Sequence, residues 1–186
     1  DERVKVATGT ASPKPKRKTI ITPKGLAMCT FVWEPRESMN EGGQAQYSCS
    51  VLFKKSQDIS ELRKAVVSAR KAKFGDRVNG LKDPFRSTDD LQGLPKDYKG
   101  GVYITAKSKQ KPGIVDADRE FITDSMDFYA GCMCRISVTP FAFDRNGAKG
   151  VTFLLNNIQK LGDGPRLDGR KSADEEFADA DDDDDY

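Results

Sequence analysis

Between Tyr98 and Lys111 the chain reads YKGGVYITAKSKQK, a run that interleaves rings, glycines and lysines. In an extended strand alternate side chains share a face, so Lys107, Lys109 and Lys111 fall on one side and Tyr103 is in phase with Lys107. Lysines that follow phosphates and flat rings that accept bases are what sequence-independent binding of a single nucleic-acid strand requires. Tyr98, Lys99 and the close backbone approach offered by Gly100-Gly101 extend the set. Arg77, Phe85 and Arg86 lie just upstream, with Lys54 and Phe74 before them and Tyr129 and Arg135 after. These thirteen side chains are the candidate DNA contacts. The competing reading of the lysines is a charged edge that blocks strand pairing.

Other chemistry is poorly supplied. The chain has no histidine, which removes the commonest general base and the usual partner of a nucleophile. Its cysteines, Cys29, Cys49, Cys132 and Cys134, lie within strand-like runs instead of the close-spaced turns of a zinc site, so reduced core thiols are expected, with no metal and no cofactor. Asp83, Asp89 and Asp90, or Asp116 and Asp118, are the acids available to a metal-dependent nuclease, but all belong to loops. A non-catalytic binder is expected, and the alternative binding reading is a duplex-binding architectural protein.

Charge is divided along the chain. Of 29 acids, nine lie in 174–186, where there is no base. Residues 1–173 therefore hold 31 bases against 20 acids, a net of +11 that favours polyanions. The tail, with Asp181, Asp182, Asp183, Asp184 and Asp185 before a final Tyr186, cannot bury enough surface to fold. It is suited to sit in a basic groove as a polyanion mimic that DNA displaces, freeing it for partner proteins. Residues 1–18, with Ser12-Pro13-Lys14-Pro15-Lys16-Arg17-Lys18, read as a flexible basic arm. The expected organisation is arm 1–18, binding domain 19–170 and tail 171–186. No apolar run approaches the roughly 20 residues of a membrane span.

The elements that must position these groups follow from periodicity. Leu26–Trp33 reads as a strand, with Phe31 and Trp33 placed in the core beside Cys29. Gln44–Phe53 is a second, with Tyr47, Cys49, Val51 and Phe53 on one face and Ser48 and Ser50 on the other. Asp58-x-x-Glu61 reads as a capping box opening an amphipathic helix with Ile59, Leu62, Val66, Ala69 and Phe74 inward, and Gly75 as its stop. The helix is expected to lie outside the barrel. From Asp76 to Gly101 there is no period, but Leu81, Phe85, Leu91, Leu94 and Tyr98 argue for an ordered cover. Val102–Lys107, Cys132–Phe143 and Val151–Lys160 are further strands, the last two joined through Asn146-Gly147, a strong hairpin signal. Arg135, Phe141 and Phe143 share a face with Met133, Ser137 and Thr139; the two phenylalanines are read equally well as ligands or as core beyond a bulge at Pro140. Tyr129 is likewise open. Five main strands and one outer helix predict a mainly β protein, a five-stranded antiparallel oligonucleotide-binding (OB-fold) barrel with long loops.

Several blocks carry a resemblance. Tyr47–Phe53, Lys73-Phe74-Gly75, Tyr103–Ser108, Lys111-Pro112-Gly113-Ile114-Val115-Asp116, Asp127-Phe128-Tyr129-Ala130-Gly131, and Asn146–Val151 leading to Leu155–Leu161 occur in the order and spacing of one family. Over Gly25 to Gly169 the chain resembles the single-stranded DNA-binding proteins of tailed bacteriophages. That resemblance implies an oligonucleotide-binding barrel without enzymatic activity, acting in phage DNA replication or recombination in the cytoplasm of the infected bacterial host. It also implies that the acidic tail contacts replication or recombination proteins. The Cys132-x-Cys134 pair and the basic arm are less typical of the family.

Overall fold

A computed structural model describes residues 17–38, 42–170, 173 and 177. Along the chain these form β1 (Ile20–Ile21), β2 (Gly25–Arg36), β3 (Gln46–Phe53), α1 (Ser60–Phe74), β4 (Arg86–Ser87), β5 (Val102–Ser108), β6 (Gly113–Val115), β7 (Met133–Arg145) and β8 (Ala148–Gly162). The acidic tail residues Asp181–Tyr186 and most of the basic arm lie outside the described residues. Among the described residues no helix is long and apolar enough to cross a membrane.

The five long strands close into a ring. β7 pairs β2, β2 pairs β3, β3 pairs β5, β5 pairs β8, and β8 returns to β7. All of these pairings are antiparallel except β5–β8, which is parallel. The expectation of a fully antiparallel barrel is corrected by parity: directions cannot alternate around a ring with an odd number of strands. β6 also pairs β8 in parallel, and β4 adds a short antiparallel edge to β5. The β7–β8 hairpin turns at Asn146 and Gly147, both at positive φ (50° and 79°), as the Asn-Gly signal predicts.

The interior follows the alternation. Cys49, Val51 and Phe53 of β3, Ile104 and Ala106 of β5, and Cys134, Ile136 and Val138 of β7 point inward with Phe153 and Leu155 of β8. Leu62 and Val66 of α1 join this cluster, so the helix stripe completes the barrel core. Gly75 closes α1 as expected, its N–H donating to the Lys71 carbonyl (3.0 Å). The capping box is corrected. The Asp58 carboxylate accepts from the Ser60 N–H two residues on (2.9 Å), while Glu61 turns to Lys64. The Ser60 hydroxyl first, and then its N–H, hold Asp58 below the usual carboxylate range.

A second cluster lies on the outer side of the sheet. Leu26 and Leu52 face outward there and are covered by Tyr98, Leu91 and Leu94 from the segment between α1 and β5. That segment is the ordered cover its apolar residues predict. The Thr88 hydroxyl fixes it by donating to the Tyr98 carbonyl (2.5 Å) and accepting from the Gly101 N–H (3.1 Å).

Candidate nucleic-acid interface

Beyond the covered patch, the outer face of β2, β3 and β5 is an open groove of about 470 Å³. Strand alternation builds its floor. With Cys49 and Val51 inward, Ser48 and Ser50 face the groove; with Ile104 and Ala106 inward, Tyr103, Thr105 and Lys107 do so. The Ser50 and Thr105 hydroxyls hydrogen-bond each other (2.8 Å), which makes the middle of the floor polar and uncharged, with Lys107 at one side. Lys107 is exposed, Tyr103 is half-buried at the margin of the outer apolar cluster, and Met28, Phe31 and Arg36 supply the β2 wall. The phase agreement of Tyr103 with Lys107 is thus legible in the sequence.

Phe31 is a correction. It was expected in the core, yet it is exposed, while its neighbour Val32 is fully buried. The cause is in the register. Ala27 pairs Val51 and Thr30 pairs Cys49, so β2 carries an extra residue there. One extra residue transfers the following side chains to the opposite face. The Arg36 guanidinium sits 5.3 Å from the Phe31 ring centroid. Trp33 remains half-buried against the core, its indole N–H donating to the Phe128 carbonyl (3.1 Å).

Met28 and Phe31 also line a second hollow of about 490 Å³, so the two are contiguous across β2. Met126, Tyr129, Arg166 and Arg170 border the second hollow. Tyr129 is largely committed to structure. Its hydroxyl bonds Asp163 (3.1 Å) and the Gly164 carbonyl (3.2 Å), and the Arg166 guanidinium lies 4.2 Å from its ring centroid. Burial first, then the Cys132 thiol nearby, pushes its phenol up to about 12. Asp163 is held below the usual carboxylate range, chiefly by its bond to Lys160, with which it pairs at 2.7 Å.

The remaining candidates separate. Arg86 is exposed and lies opposite Tyr103 across the β4–β5 pairing, on the same face. Tyr98 is corrected: it is buried in the outer cluster, its hydroxyl reaching the Met133 sulfur (3.9 Å), and burial pushes its phenol up. Phe85 is half-buried, edge-on to the core ring Phe153 (5.9 Å) with Arg63 over it (4.7 Å), so it anchors the cover. Lys54 pairs loosely with Asp97 (3.6 Å). β5 ends at Ser108, so Lys109 and Lys111 leave its face, and Lys111 instead lies 5.6 Å from the Trp33 ring. Arg135 is on the β7–β8 side, bonded to Gln159 (2.7 Å), away from the groove. Lys99 and Arg77 are exposed and Phe74 is half-buried at the end of α1. The approach at Gly101 is filled by the chain itself, since a Cβ there would overlap the Phe53 carbonyl. Phe141 and Phe143 alternate with Ala142, which packs on the core, and therefore face away from it; Arg17 lies 4.4 Å from the Phe141 ring.

Groove residues that the sequence reading passed over are Met28, Phe31, Arg36, Arg166 and Arg170. A bulge hides Phe31 from period-two counting, Met28 stands on the outer face by plain alternation, Arg36 lies beyond the Glu34-Pro35 stop, and the last two lie in a loop with no period to read.

Three of the five loop acids, Asp83, Asp89 and Asp116, hold the backbone of their loops. Asp83 accepts from the Phe85 N–H, Asp89 from the Gly100 N–H, and Asp116 from the Asp118 and Glu120 N–H groups. Among the described residues no three cysteine or acidic side chains gather as a metal site. Cys49, Cys132 and Cys134 are free and buried; the hydrogen bond with Cys49, together with burial, raises the Cys134 thiol well above its ordinary range.

The family model described as "Enterobacter phage Enc34, ssDNA-binding protein" matches residues 18–186. The chain is 34% identical over 85 residues to putative protein p50 of Acyrthosiphon pisum secondary endosymbiont phage 1. That match covers 44% of this chain and 45% of the relative, so the chain spans under half of that protein's length. Among solved structures it is similar to the single-stranded DNA-binding protein of bacteriophage Enc34 in complex with ssDNA (TM-score 0.66, 17% identity, 80% of this chain and 89% of that one). It is also similar to gp2.5, a single-stranded DNA-binding protein encoded by bacteriophage T7 (TM-score 0.59, 13% identity, 84% and 98%). At these identities the likeness of the structures is one of fold.

Proposed function

The chain belongs to the Enterobacter phage Enc34 ssDNA-binding protein family, and from that premise we propose that it binds single-stranded DNA without sequence preference along the groove over β2, β3 and β5. Its role is binding, not catalysis. The observation that carries the reading is the placement of Phe31 and Tyr103 on one polar strand face with Arg36 and Lys107 at its margins. Rings stack on any base and the cations follow phosphates, so affinity needs no base-edge readout. Arg86, beside Tyr103, extends the phosphate track.

In this reading residues 1–18 are a basic arm, 19–170 the binding domain and 171–186 an acidic extension. The tail occupies the groove when DNA is absent, and DNA displaces it, which frees it for replication or recombination proteins in the infected host. Its nine acids between 174 and 186 match the basic body in charge.

The test is a salt-series titration of the full chain, and of a chain ending at Ala173, against mixed-sequence single strands and duplexes. Log affinity for single strands should fall with log salt at about −0.7 per neutralised phosphate. Deleting the tail should tighten binding most at low salt, where exposed charges are least screened. Salt-insensitive binding would count against the groove, and equal affinity for duplex would favour the architectural alternative. Unchanged low-salt affinity in the shortened chain would remove the tail's competing role.

A further inference from the structure

A basic surface outside the groove has no part in the reading above. A hollow of about 380 Å³ is lined by Lys54, Lys55, Asp58, Arg63 and the start of β5. It is continuous, through Ser60 and Arg63, with a shallow hollow of about 500 Å³ along α1, which Lys64 and Lys71 border. Together they present five bases, Lys54, Lys55, Arg63, Lys64 and Lys71, against one acid, Asp58. That acid already accepts from the Ser60 N–H. The other acids nearby are Asp97, paired with Lys54 at 3.6 Å, Glu61, paired with Lys64 at 3.2 Å and largely exposed, and Asp89, whose carboxylate accepts from the Gly100 N–H (3.0 Å). Exposed pairs of this kind are weak and exchange readily for phosphate.

The surface meets the groove. Val102 lines the α1 hollow and the next residue, Tyr103, lines the groove on the opposite face of β5, so a strand passing from one to the other rounds the edge formed by β4. β4 lies alongside both, with Ser87 opposite Val102 and Arg86 opposite Tyr103. Arg86 and the exposed Lys99 therefore stand between the two sets of cations. From Arg63 to Lys71 the helix carries the track roughly 12 Å further, at 1.5 Å per residue. An ordinary solvated helix face mixes signs, since like charges at neighbouring helical positions repel. Here the residues that border the outer hollow are basic, small or apolar, with no acid among them.

We infer that the DNA strand leaving the groove continues past the start of β5 and along α1, which acts as an outer phosphate rail. This rests on the groove reading and extends its footprint.

The experiment uses the full chain carrying Lys64→Glu and Lys71→Glu, both exposed positions, with thermal melting as the check on folding. Oligothymidylates of about 8 and about 30 nucleotides are the probes, the first within the range one oligonucleotide-binding barrel accommodates. The 30-mer should bind at least about tenfold more weakly, with its log–log salt slope flattened by about 1.4 for two lost phosphate contacts. The 8-mer should change less than about twofold. Equal loss on both lengths would reveal only a general charge effect and overturn the rail, as would no loss on either. Loss confined to a 30-base-pair duplex would overturn it in favour of a duplex contact. If the unaltered chain failed to bind the 8-mer, the groove reading would fall instead, independently of any length effect. A second variant, Lys55→Glu with Lys71→Glu, spares the Lys64–Glu61 pair and should behave as the first does.

Discussion

Replacing Phe31 with alanine should separate binding from stability. A buried phenylalanine truncated to alanine costs about 3–5 kcal/mol. Phe31 is 38% exposed and on the outer face of β2, where no sealed cavity is left, so the folding cost should fall to about 1–2 kcal/mol. The lost contact with Arg36, at 5.3 Å, adds little, since exposed cation–π pairs are worth about 0.5–1 kcal/mol. A stacked base, by contrast, is worth about 1–3 kcal/mol, which corresponds to a Kd raised roughly 5- to 150-fold. The adjacent Val32 is fully buried and supplies the control. Val32→Ala should forfeit up to about 1.5–3 kcal/mol of burial, lowering Tm by several degrees, while the affinity of the folded protein holds. Fluorescence titration with an oligothymidylate and a melting curve for each variant give both quantities. If Phe31→Ala melted as early as Val32→Ala while its Kd stayed unchanged, the bulge would have been placed wrongly and the two faces of β2 exchanged.

Alkaline stability should report on Tyr129. Its folded phenol is raised to about 12 against an ordinary value near 10, so the neutral form is favoured by folding. The stabilisation is complete below pH 10 and is lost as pH rises from 10 to 12. The difference in urea midpoint between the unaltered chain and Tyr129→Phe should be constant from pH 7 to 9 and shrink above 10; a difference independent of pH would refute the assignment. Gly131→Ala should destabilise by on the order of 1–3 kcal/mol. Gly131 has φ 115° and a Cβ there would overlap the Pro165 carbonyl, so the strap carrying Arg166 must lift from Tyr129. Chemical denaturation at neutral pH checks it, and an unchanged midpoint would show that the strap yields freely.

Local rules account for a large part of this protein. Period-two alternation put Cys49, Val51 and Phe53 on one face of β3 and Ser48 and Ser50 on the other, and did the same for Tyr103 and Lys107 on β5. Asn146-Gly147 marked the hairpin, Gly75 the end of the helix, and the apolar residues of 76–101 an ordered cover. Each of these depends on backbone geometry within a few residues, and on the rule that one strand face or helix stripe must be buried.

What escaped depends on how distant segments meet. Whether Tyr98 and Phe85 are ligands or anchors is decided by which wall they close upon, and only the folded barrel offers Leu52 to the first and Phe153 to the second. The direction of β8 relative to β5 is a property of the closed ring, invisible in any pair of strands. Phe31 turned outward because one extra residue in β2 shifted its register against β3, a choice made by pairing and not by composition. Charge division, strand faces and the kinds of side chain available are written along the chain. Which of them share a groove is settled on folding, because closure of a barrel fixes register between segments that are far apart in the chain.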